Sequence, residues 1–262
     1  MLISIITAAF NSGETLRDTL KSVLEQTYTN FEHIIVDGGS QDNTLEIIKE
    51  FEPLYDGRLK WISEPDNGIY DAMNKGIGMA SGEIVGLLNS DDFYTDGNVL
   101  KTFVSHIKDY DAVYGDVHYV NPDDLNKVVR YYSSKAFRRR LMLMGFMPAH
   151  PSFYCRRKLF EQFGAFDTEF RVASDFELLL RFIYKNNISI KYIGKDFVTM
   201  RTGGASTSGF KSYRMILRDH LRAYKKNGIR SNIFLEGCRY AYKSFELIKQ
   251  KFYNHNKINP IK

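Results

Sequence analysis

From Leu2 to about residue 120, short continuous apolar runs alternate with stretches in which apolar residues recur every three to four positions. The runs Leu2 to Ala8, Phe31 to Val36, Leu59 to Ile62, Ile84 to Leu88 and Ala112 to Tyr119 predict buried strands. The periodic stretches Ser12 to Glu25, Asn43 to Phe51, Tyr70 to Met79 and Asn98 to Ile107 predict helices. Leu16, Leu20, Val23 and Leu24 form the inner face of the first, and Ala72, Met73 and Ile77 that of the third. Buried strands separated by helices predict an α/β fold, a Rossmann-like, mostly parallel central sheet with helices on both faces. Polar clusters stand where hydrophobic runs end: Thr7 to Asn11, Asp37 to Thr44, Glu64 to Lys75, and Asn89 to Asp92. Open α/β sheets bind ligands outside the carboxyl ends of their strands, so these clusters predict one built site.

Composition limits the alternatives. The chain has 262 residues, 44% of them hydrophobic and 14% aromatic, enough for a large core in one domain with or without an extension. Cys155 and Cys238 stand in no paired spacing, which predicts neither a disulfide framework nor a metal site and suits a reducing cytoplasm. Met1 to Phe10 lacks the basic start and cleavage site of a signal peptide and reads as the first strand. No run approaches the ~20 apolar residues that cross a bilayer, so any membrane contact is expected to be peripheral.

The net charge of +5 is unevenly spread. From Lys211 onward thirteen Lys and Arg face three acids (Asp219, Glu236, Glu246), a net of +10 that leaves −5 on the first 210 residues. Tyr213, Ile216, Leu217, Leu221 and Tyr224, then Phe234, Tyr240, Phe245, Ile248 and Phe252, recur at helical spacing between those charges, predicting a basic amphipathic helical extension over 211–262. Such helices have two readings: they lie on the anionic inner face of the cytoplasmic membrane, or they pack on the body with a solvated basic face. Nucleic acid is not an expected partner, because no binding motif accompanies the charge.

The chain lacks a phosphate-cradling glycine-rich loop followed by Lys and Ser or Thr, and Asp37 to Asn43 lacks the dinucleotide fingerprint spacing. Four stretches taken together resemble the family-2 glycosyltransferases. They are Ser4-Ile5-Ile6-Thr7-Ala8-Ala9-Phe10-Asn11; Ile34-Ile35-Val36-Asp37-Gly38-Gly39-Ser40 with Asp42 and Thr44; Glu64 through Asp71 to Gly76; and Leu88-Asn89-Ser90-Asp91-Asp92. Any one match is weak, but the four in this order and spacing are specific. The resemblance covers roughly residues 1 to 205 and implies the A-type glycosyltransferase fold, with a catalytic domain over 1–210. Within it, about 1–120 would bind a nucleotide sugar and 121–210 would supply the acceptor side.

A nucleoside diphosphate presents a base edge, a ribose diol and two charged phosphates, so its site needs a directional acceptor, a carboxylate and a cation. The resemblance implies that Asp37 accepts a uracil N–H, that Thr7 and Ala8 bring backbone groups to the base, and that Asp71 contacts the nucleotide or sugar. Asn11 and Glu14 have capping-box spacing, and Asp42 stands before the next helix, so capping competes with ligand contact there. Asp71 and Lys75, at i and i+4, read either as part of the donor site or as a surface ion pair. A departing diphosphate is stabilised by a hard divalent cation, Mn²⁺ or Mg²⁺. By resemblance Asp91 is its ligand, beside Ser90 and Asp92. Asn89 stands where an Asp is commonest, which removes one negative charge from its ribose or metal contact.

Val172-Ala173-Ser174-Asp175-Phe176-Glu177 resembles the family's catalytic motif, which implies that Asp175 is the general base of an inverting transfer. Its competing reading is an N-cap for a helix over Phe176 to Tyr184. Glu177 is expected to point away. His150 stands where related enzymes border the acceptor pocket, with contact to acceptor or diphosphate set against a structural role. Arg201-Thr202-Gly203-Gly204-Ala205-Ser206 resembles a loop that closes over the donor, with Arg201 a candidate phosphate contact. The expected activity is transfer from a nucleotide sugar, UDP-linked, to a glycan or polyprenyl-linked glycan in bacterial surface polysaccharide assembly. Two other readings stay open. A sugar-phosphate nucleotidylyltransferase would want a basic, glycine-rich loop after strand one, which Ala8-Ala9-Phe10-Asn11 does not supply. A non-catalytic sugar-nucleotide or membrane-associated binding protein would bind donor without turnover.

Overall fold

The structure, a computed structural model, describes residues 1–203 and 209–238, with backbone alone for 209–213. The expected loop residues Gly204, Ala205 and Ser206, the side chain of Tyr213, and Tyr240, Phe245, Ile248 and Phe252 of the tail lie outside the described residues.

The strands are β1 (Ile3–Ala9), β2 (Phe31–Asp37), β3 (Leu59–Ser63), β4 (Ile84–Leu87), β5 (Phe93–Tyr94), β6 (Ala112–Asn121), β7 (Asp124–Tyr132), β8 (Tyr154–Arg156) and β9 (Ile190–Arg201). The helices are α1 (Leu16–Leu24), α2 (Thr44–Phe51), α3 (Ile69–Met79), α4 (Val99–His106), α5 (Lys158–Phe163), α6 (Ser174–Leu179) and α7 (Gly209–Lys226). The strands form one sheet in the order β3-β2-β1-β4-β8-β6-β9-β5, with β7 beside β6. β3, β2, β1 and β4 are parallel, as expected. Beyond them the sheet is mixed: β8 is antiparallel to β4 and β6, β5 to β9 and β7 to β6, while β6 and β9 are parallel. The two- and three-residue strands β5 and β8 are too short for periodicity to reveal.

Alternation along β1 builds two cores. Ile3 and Ile5 pack with Leu16, Leu20, Ile47, Ile48 and Phe103 of α1, α2 and α4, whereas Ile6 and Ala8 pack with residues of α3, α5, α6 and α7. A Cβ at Gly76 would collide with Ile6, so this glycine lets α3 lie close on β1. α7 belongs to the second core through Ala223 and Tyr224, and His220 stacks on Phe176 of α6 with ring centroids 3.7 Å apart. Within its described part, then, the basic extension packs on the body. No helix among the described residues is long and apolar enough to cross a membrane.

Two elements differ from their expected bounds. α1 begins at Leu16 after Thr15, which makes no side-chain cap, because residues 11–14 are held in a loop with Asn11 at φ 48°. The Asn11 and Glu14 capping box is therefore not formed; left-handed backbone suits Asn and removes residue 11 from any helix start. The helix expected over Phe176 to Tyr184 is α6 followed by a π turn over Leu180–Lys185.

The polar residues inside the buried runs tie strands together. Glu32 accepts hydrogen bonds from Ser4 Oγ (2.5 Å), Lys60 Nζ (2.7 Å) and Ser81 N (2.7 Å), joining β1, β2, β3 and the turn before β4. Burial alone would raise its carboxyl, but Lys60, Ser4 and Ser81 outweigh it and lower the pKa to about 2. His33 lies between Thr7 Oγ1 (2.8 Å) and the Tyr55 hydroxyl (2.9 Å). Both hydroxyls also reach main-chain carbonyls, Thr7 that of Leu88 (2.7 Å) and Tyr55 that of Leu20 (2.7 Å). Complete burial lowers the imidazole to about 3.

Stability should therefore fall in two acid windows. An unfolded imidazole takes up a proton below about 6.5 while folded His33 does not, so stability drops by up to about 1.4 kcal/mol per pH unit from about pH 6.5 downward. Glu32 is depressed in the fold, so its contribution is present above its ordinary value and is lost as pH falls from 4.5 to about 2. Urea titrations from pH 8 to about 2 check this: His33→Gln should be less stable at pH 8 and should flatten the upper window. An unchanged slope would refute the assignment.

Candidate active site

The site forms where the sheet changes direction. β1 pairs with β2 up to Ala9↔Asp37 but with β4 only up to Ile6↔Leu87, so the β4 side of Thr7, Ala8 and Ala9 opens into a crevice at the carboxyl ends. The loops after β1 and β2 are zipped together along one wall. Gly38 N donates to Ala9 O (2.8 Å), Asn11 N to Ser40 Oγ (2.8 Å), Gln41 N to Asn11 Oδ1 (2.9 Å), Ser12 N to Thr44 Oγ1 (2.8 Å) and Gly13 N to Asp42 Oδ2 (2.9 Å). Asp42 also accepts the first helical N–H of α2, from Thr44 (3.0 Å), so it starts that helix and clamps the β1 loop to it. These hydrogen bonds, Thr44's first, lower its carboxyl.

Asp37 stands at the end of β2 as expected, but it is buried and its oxygens are occupied. Oδ2 accepts from Gly39 N (3.1 Å), Ser40 N (3.0 Å) and Ser63 Oγ (2.7 Å), and Oδ1 accepts from Ser40 Oγ. Asp37 thus shapes the loop first, and Oδ1, with Ser40 Oγ as its one partner among the described residues, is the oxygen with acceptor capacity left. The Thr7 hydroxyl is likewise engaged by His33 and Leu88.

The Asn89 to Asp92 turn faces this wall. Ser90 Oγ shares a hydrogen bond with Ser12 Oγ (2.8 Å), and Ser90 O accepts from Thr15 Oγ1 (2.8 Å) and Thr19 Oγ1 (3.0 Å). Arg201, the last residue of β9, sits behind the turn: it donates to Asp91 O (2.5 Å), pairs with Asp18 and lies 5.2 Å from the Phe93 ring centroid. The guanidinium thus holds Asp91 in place and is not presented as a free phosphate contact. Among the described residues the Asp91 carboxylate and the Asn89 amide find no hydrogen-bond or ion-pair partner. Asp92 is buried with Oδ2 unpartnered, and its carboxyl is raised well above the ordinary range by burial, then by Asp91, with Arg201 opposing. One free carboxylate beside a buried, unsatisfied one suits a hard cation. Among the described residues no group of three or more His, Cys, Asp and Glu could hold a metal alone, so remaining ligands would come from phosphate and water.

α3 joins this wall to the second half of the chain. Its Asp71 Oδ2 accepts Asn67 N (3.0 Å) and lies 3.7 Å from Lys75, whose nearer partner is Glu64 at 2.8 Å. The Glu64 hydrogen bond raises the Lys75 ammonium. The ion-pair reading of this pair is therefore formed, with Glu64 as its main acid. On the neighbouring face Tyr70 donates to Val172 O (2.7 Å), and Asn74 makes two hydrogen bonds to the backbone of Phe166 (2.8 and 2.9 Å). This brings Asp175 to the crevice. It lies within the first turn of α6, behind Ala173, and so is not the N-cap. Its Oδ1 accepts Phe176 N (2.8 Å), and its Oδ2 lies 3.2 Å from His150 Nδ1. An apolar slot lined by Met73, Leu87, Phe153, Phe166 and Leu178 opens beside Tyr70, His150 and Asp175. The two sides share one field: the Tyr119 phenol, raised first by burial, is raised further by both Asp92 and Asp175 while Arg130 opposes. Glu177 points away as expected, into a buried pair with Arg181 at 2.8 Å.

Tyr70, Asn74, Ser12 and Asp18 were not singled out from sequence. Tyr70 and Asn74 are at i and i+4, the one signal that they share a helix face.

Known proteins match this architecture. The pattern of Glycosyl transferase family 2 matches residues 4–164. An uncharacterized glycosyltransferase of Mycobacterium tuberculosis is 33% identical over 250 residues, 92% of this chain and 93% of its own. A PGL/p-HBAD biosynthesis glycosyltransferase of Mycobacterium bovis is 32% identical over 69% of each chain. Among solved structures, S. aureus TarS 1–349 with UDP-GlcNAc superposes with a TM-score of 0.68 at 22% identity, over 85% of this chain and 66% of that one. The mannosyltransferase PcManGT from Pyrobaculum calidifontis, with GDP-Man and Mn²⁺, gives 0.61 at 19%, over 86% and 63%. At these identities the two structures establish the A-type fold.

The carboxylates should separate by stability in buffer free of nucleotide and metal. Asp37→Ala strands four donors and should cost about 2–4 kcal/mol by denaturant titration, whereas Asp91→Ala should stay within about 0.5 kcal/mol of wild type. Equal losses would contradict the division between loop-building and free carboxylates.

Proposed function

The chain belongs to glycosyl transferase family 2, and on that premise we propose an inverting enzyme that moves a sugar from a UDP-sugar to a glycan, free or carried on a polyprenyl lipid, in surface polysaccharide synthesis. The observation that carries the reading is the Asp91 carboxylate, without a partner among the described residues, in the turn after β4 and beside the open edge of β1. UDP-GlcNAc bound by TarS, and GDP-Man with Mn²⁺ bound by PcManGT, support a nucleotide-sugar donor.

Asp91 would hold Mn²⁺ or Mg²⁺ together with the donor phosphates, where the cation acts as a Lewis acid on the developing diphosphate charge. Asn89 and Ser90 line the same turn, and Arg201 and Asp92 support it from behind. The loop anchored by Asp37 and Asn11 presents backbone groups to the base, with Thr7 and Ala8 beneath it. Asp71 and Lys75 border the diphosphate. Asp175 takes the proton of the acceptor hydroxyl as its oxygen attacks the anomeric carbon from the face opposite the leaving group. Peripheral contact with the cytoplasmic membrane is supported by the basic tail and by Ile233 and Phe234, which are 53% and 83% exposed.

Thermal unfolding with nucleoside diphosphates and nucleotide sugars, with and without Mn²⁺, tests the donor site. UDP compounds should stabilise the chain by about 2.7 kcal/mol at a hundredfold excess over their dissociation constant. Asp91→Ala should remove the metal-dependent part, and Asp175→Ala should keep binding while lowering transfer about 10²- to 10⁴-fold. No shift with any nucleotide would refute the reading.

A further inference from the structure

We propose that His150 is the positioning residue of the general base: its Nδ1–H holds Asp175 Oδ2 and so fixes which lone pair receives the acceptor's proton. The proposal rests on Asp175 being the base.

The two partners come from different parts of the fold. Asp175 is in α6, whereas His150 opens a 3-10 turn, His150–Ser152, that belongs to β6. Ser152 Oγ donates to Gly115 O (2.9 Å) and accepts from Gly115 N (3.2 Å), and Ala149 N donates to Ser134 Oγ (3.2 Å), so both ends of the turn are pinned. The ring is therefore delivered by a rigid element, not by a free loop.

The carboxylate's own accounting assigns the tautomer. An ionised carboxylate only accepts, so a hydrogen bond across this 3.2 Å ion-pair contact needs the proton on Nδ1. Oδ1 is served by Phe176 N at 2.8 Å. The Tyr70 hydroxyl is 3.5 Å from Oδ1 but gives its single proton to Val172 O at 2.7 Å. His150 is thus the donor that the described residues offer Oδ2, in a side chain only 15% exposed whose neighbours in the slot are apolar. A half-buried carboxylate lacking a donor on one oxygen turns toward water or becomes protonated, and either removes a base. With both oxygens held, the remaining Oδ2 lone pair is left for substrate.

In the transfer, the acceptor's O–H proton passes to Asp175 Oδ2 and the acceptor oxygen forms the new bond to the anomeric carbon. The bond to the diphosphate oxygen breaks and takes its electron pair to the leaving group. His150 keeps its proton throughout and touches neither sugar, which distinguishes it from a catalytic residue.

The test uses the full chain in two measurements. Imidazole ¹⁵N NMR at pH 7.5 should show His150 protonated on Nδ1, with a signal that moves in Asp175→Asn; a bare Nδ1 with the proton on Nε2 would overturn the proposal whether or not turnover is seen. UDP release from UDP-GlcNAc with Mn²⁺ and water as acceptor gives the rates. His150→Ala should lower kcat about 10- to 100-fold with the donor KM within about twofold. His150→Asn, whose amide N–H can stand in for Nδ1–H, should recover to within about fivefold of wild type. A raised KM at unchanged kcat would make His150 a donor contact and overturn the proposal. Wild-type rates in His150→Ala beside an inactive Asp175→Ala would do the same while leaving the base intact. Full activity in Asp175→Ala would instead sink the underlying reading of Asp175.

Discussion

The crevice depends on one constraint: backbone groups in the loops beyond the strand ends have no ladder partner and must find one elsewhere. Asn11, Ser40, Asp42 and Thr44 supply those partners across two loops, and Asp37 supplies two more within its own loop while also accepting the Ser63 hydroxyl of β3. The loops after β1 and β2 thereby become one wall. Ser12 and Thr15 then fasten the Asn89 to Asp92 turn to it, so side chains that look like ligand contacts first act as construction.

That construction decides which polar groups remain. Asp37 and Asp42 are occupied by the loops, Glu64 and Asp71 by Lys75, and Asp18 by Arg201. Among the described residues the side chains of Asp91 and Asn89 remain unengaged, and Asp92 is buried with an unsatisfied oxygen. A site for a charged ligand needs preorganised groups that are unsatisfied until the ligand arrives, and only a rigid surround keeps them so. Arg201 contributes by gripping the backbone of Asp91 while leaving its carboxylate alone.

α3 bridges the two halves beside the β4 and β8 pairing of the sheet. One face of α3 steadies the 64–68 turn through Asp71 and Lys75; the next holds the segment before α6 through Tyr70 and Asn74. Asp175 is therefore fixed relative to the strand ends by hydrogen bonds to main chain. α7 backs α6 from the far side, where His220 lies on Phe176, so the helix that the charge pattern assigns to an extension also supports the helix that carries Asp175.

The sequence by itself determined the parallel half of the sheet, because Leu2 to Ala8, Phe31 to Val36 and Ile84 to Leu88 are continuous apolar runs that can only be buried on both faces. It also located the polar clusters at the strand ends and the segment bearing Asp175, since order and spacing along the chain carry that information. Bounds failed where tertiary contacts overrode local preference: Asn11 and Glu14 have capping spacing, yet Ser40 and Gln41 hold Asn11 in a left-handed loop. Only the tertiary structure decided which carboxylates are free. A polar contact between residues far apart in sequence, such as His150 to Asp175 or Arg201 to Asp91, leaves no periodicity in the chain, and the role of each acid depends on whether such a partner reaches it.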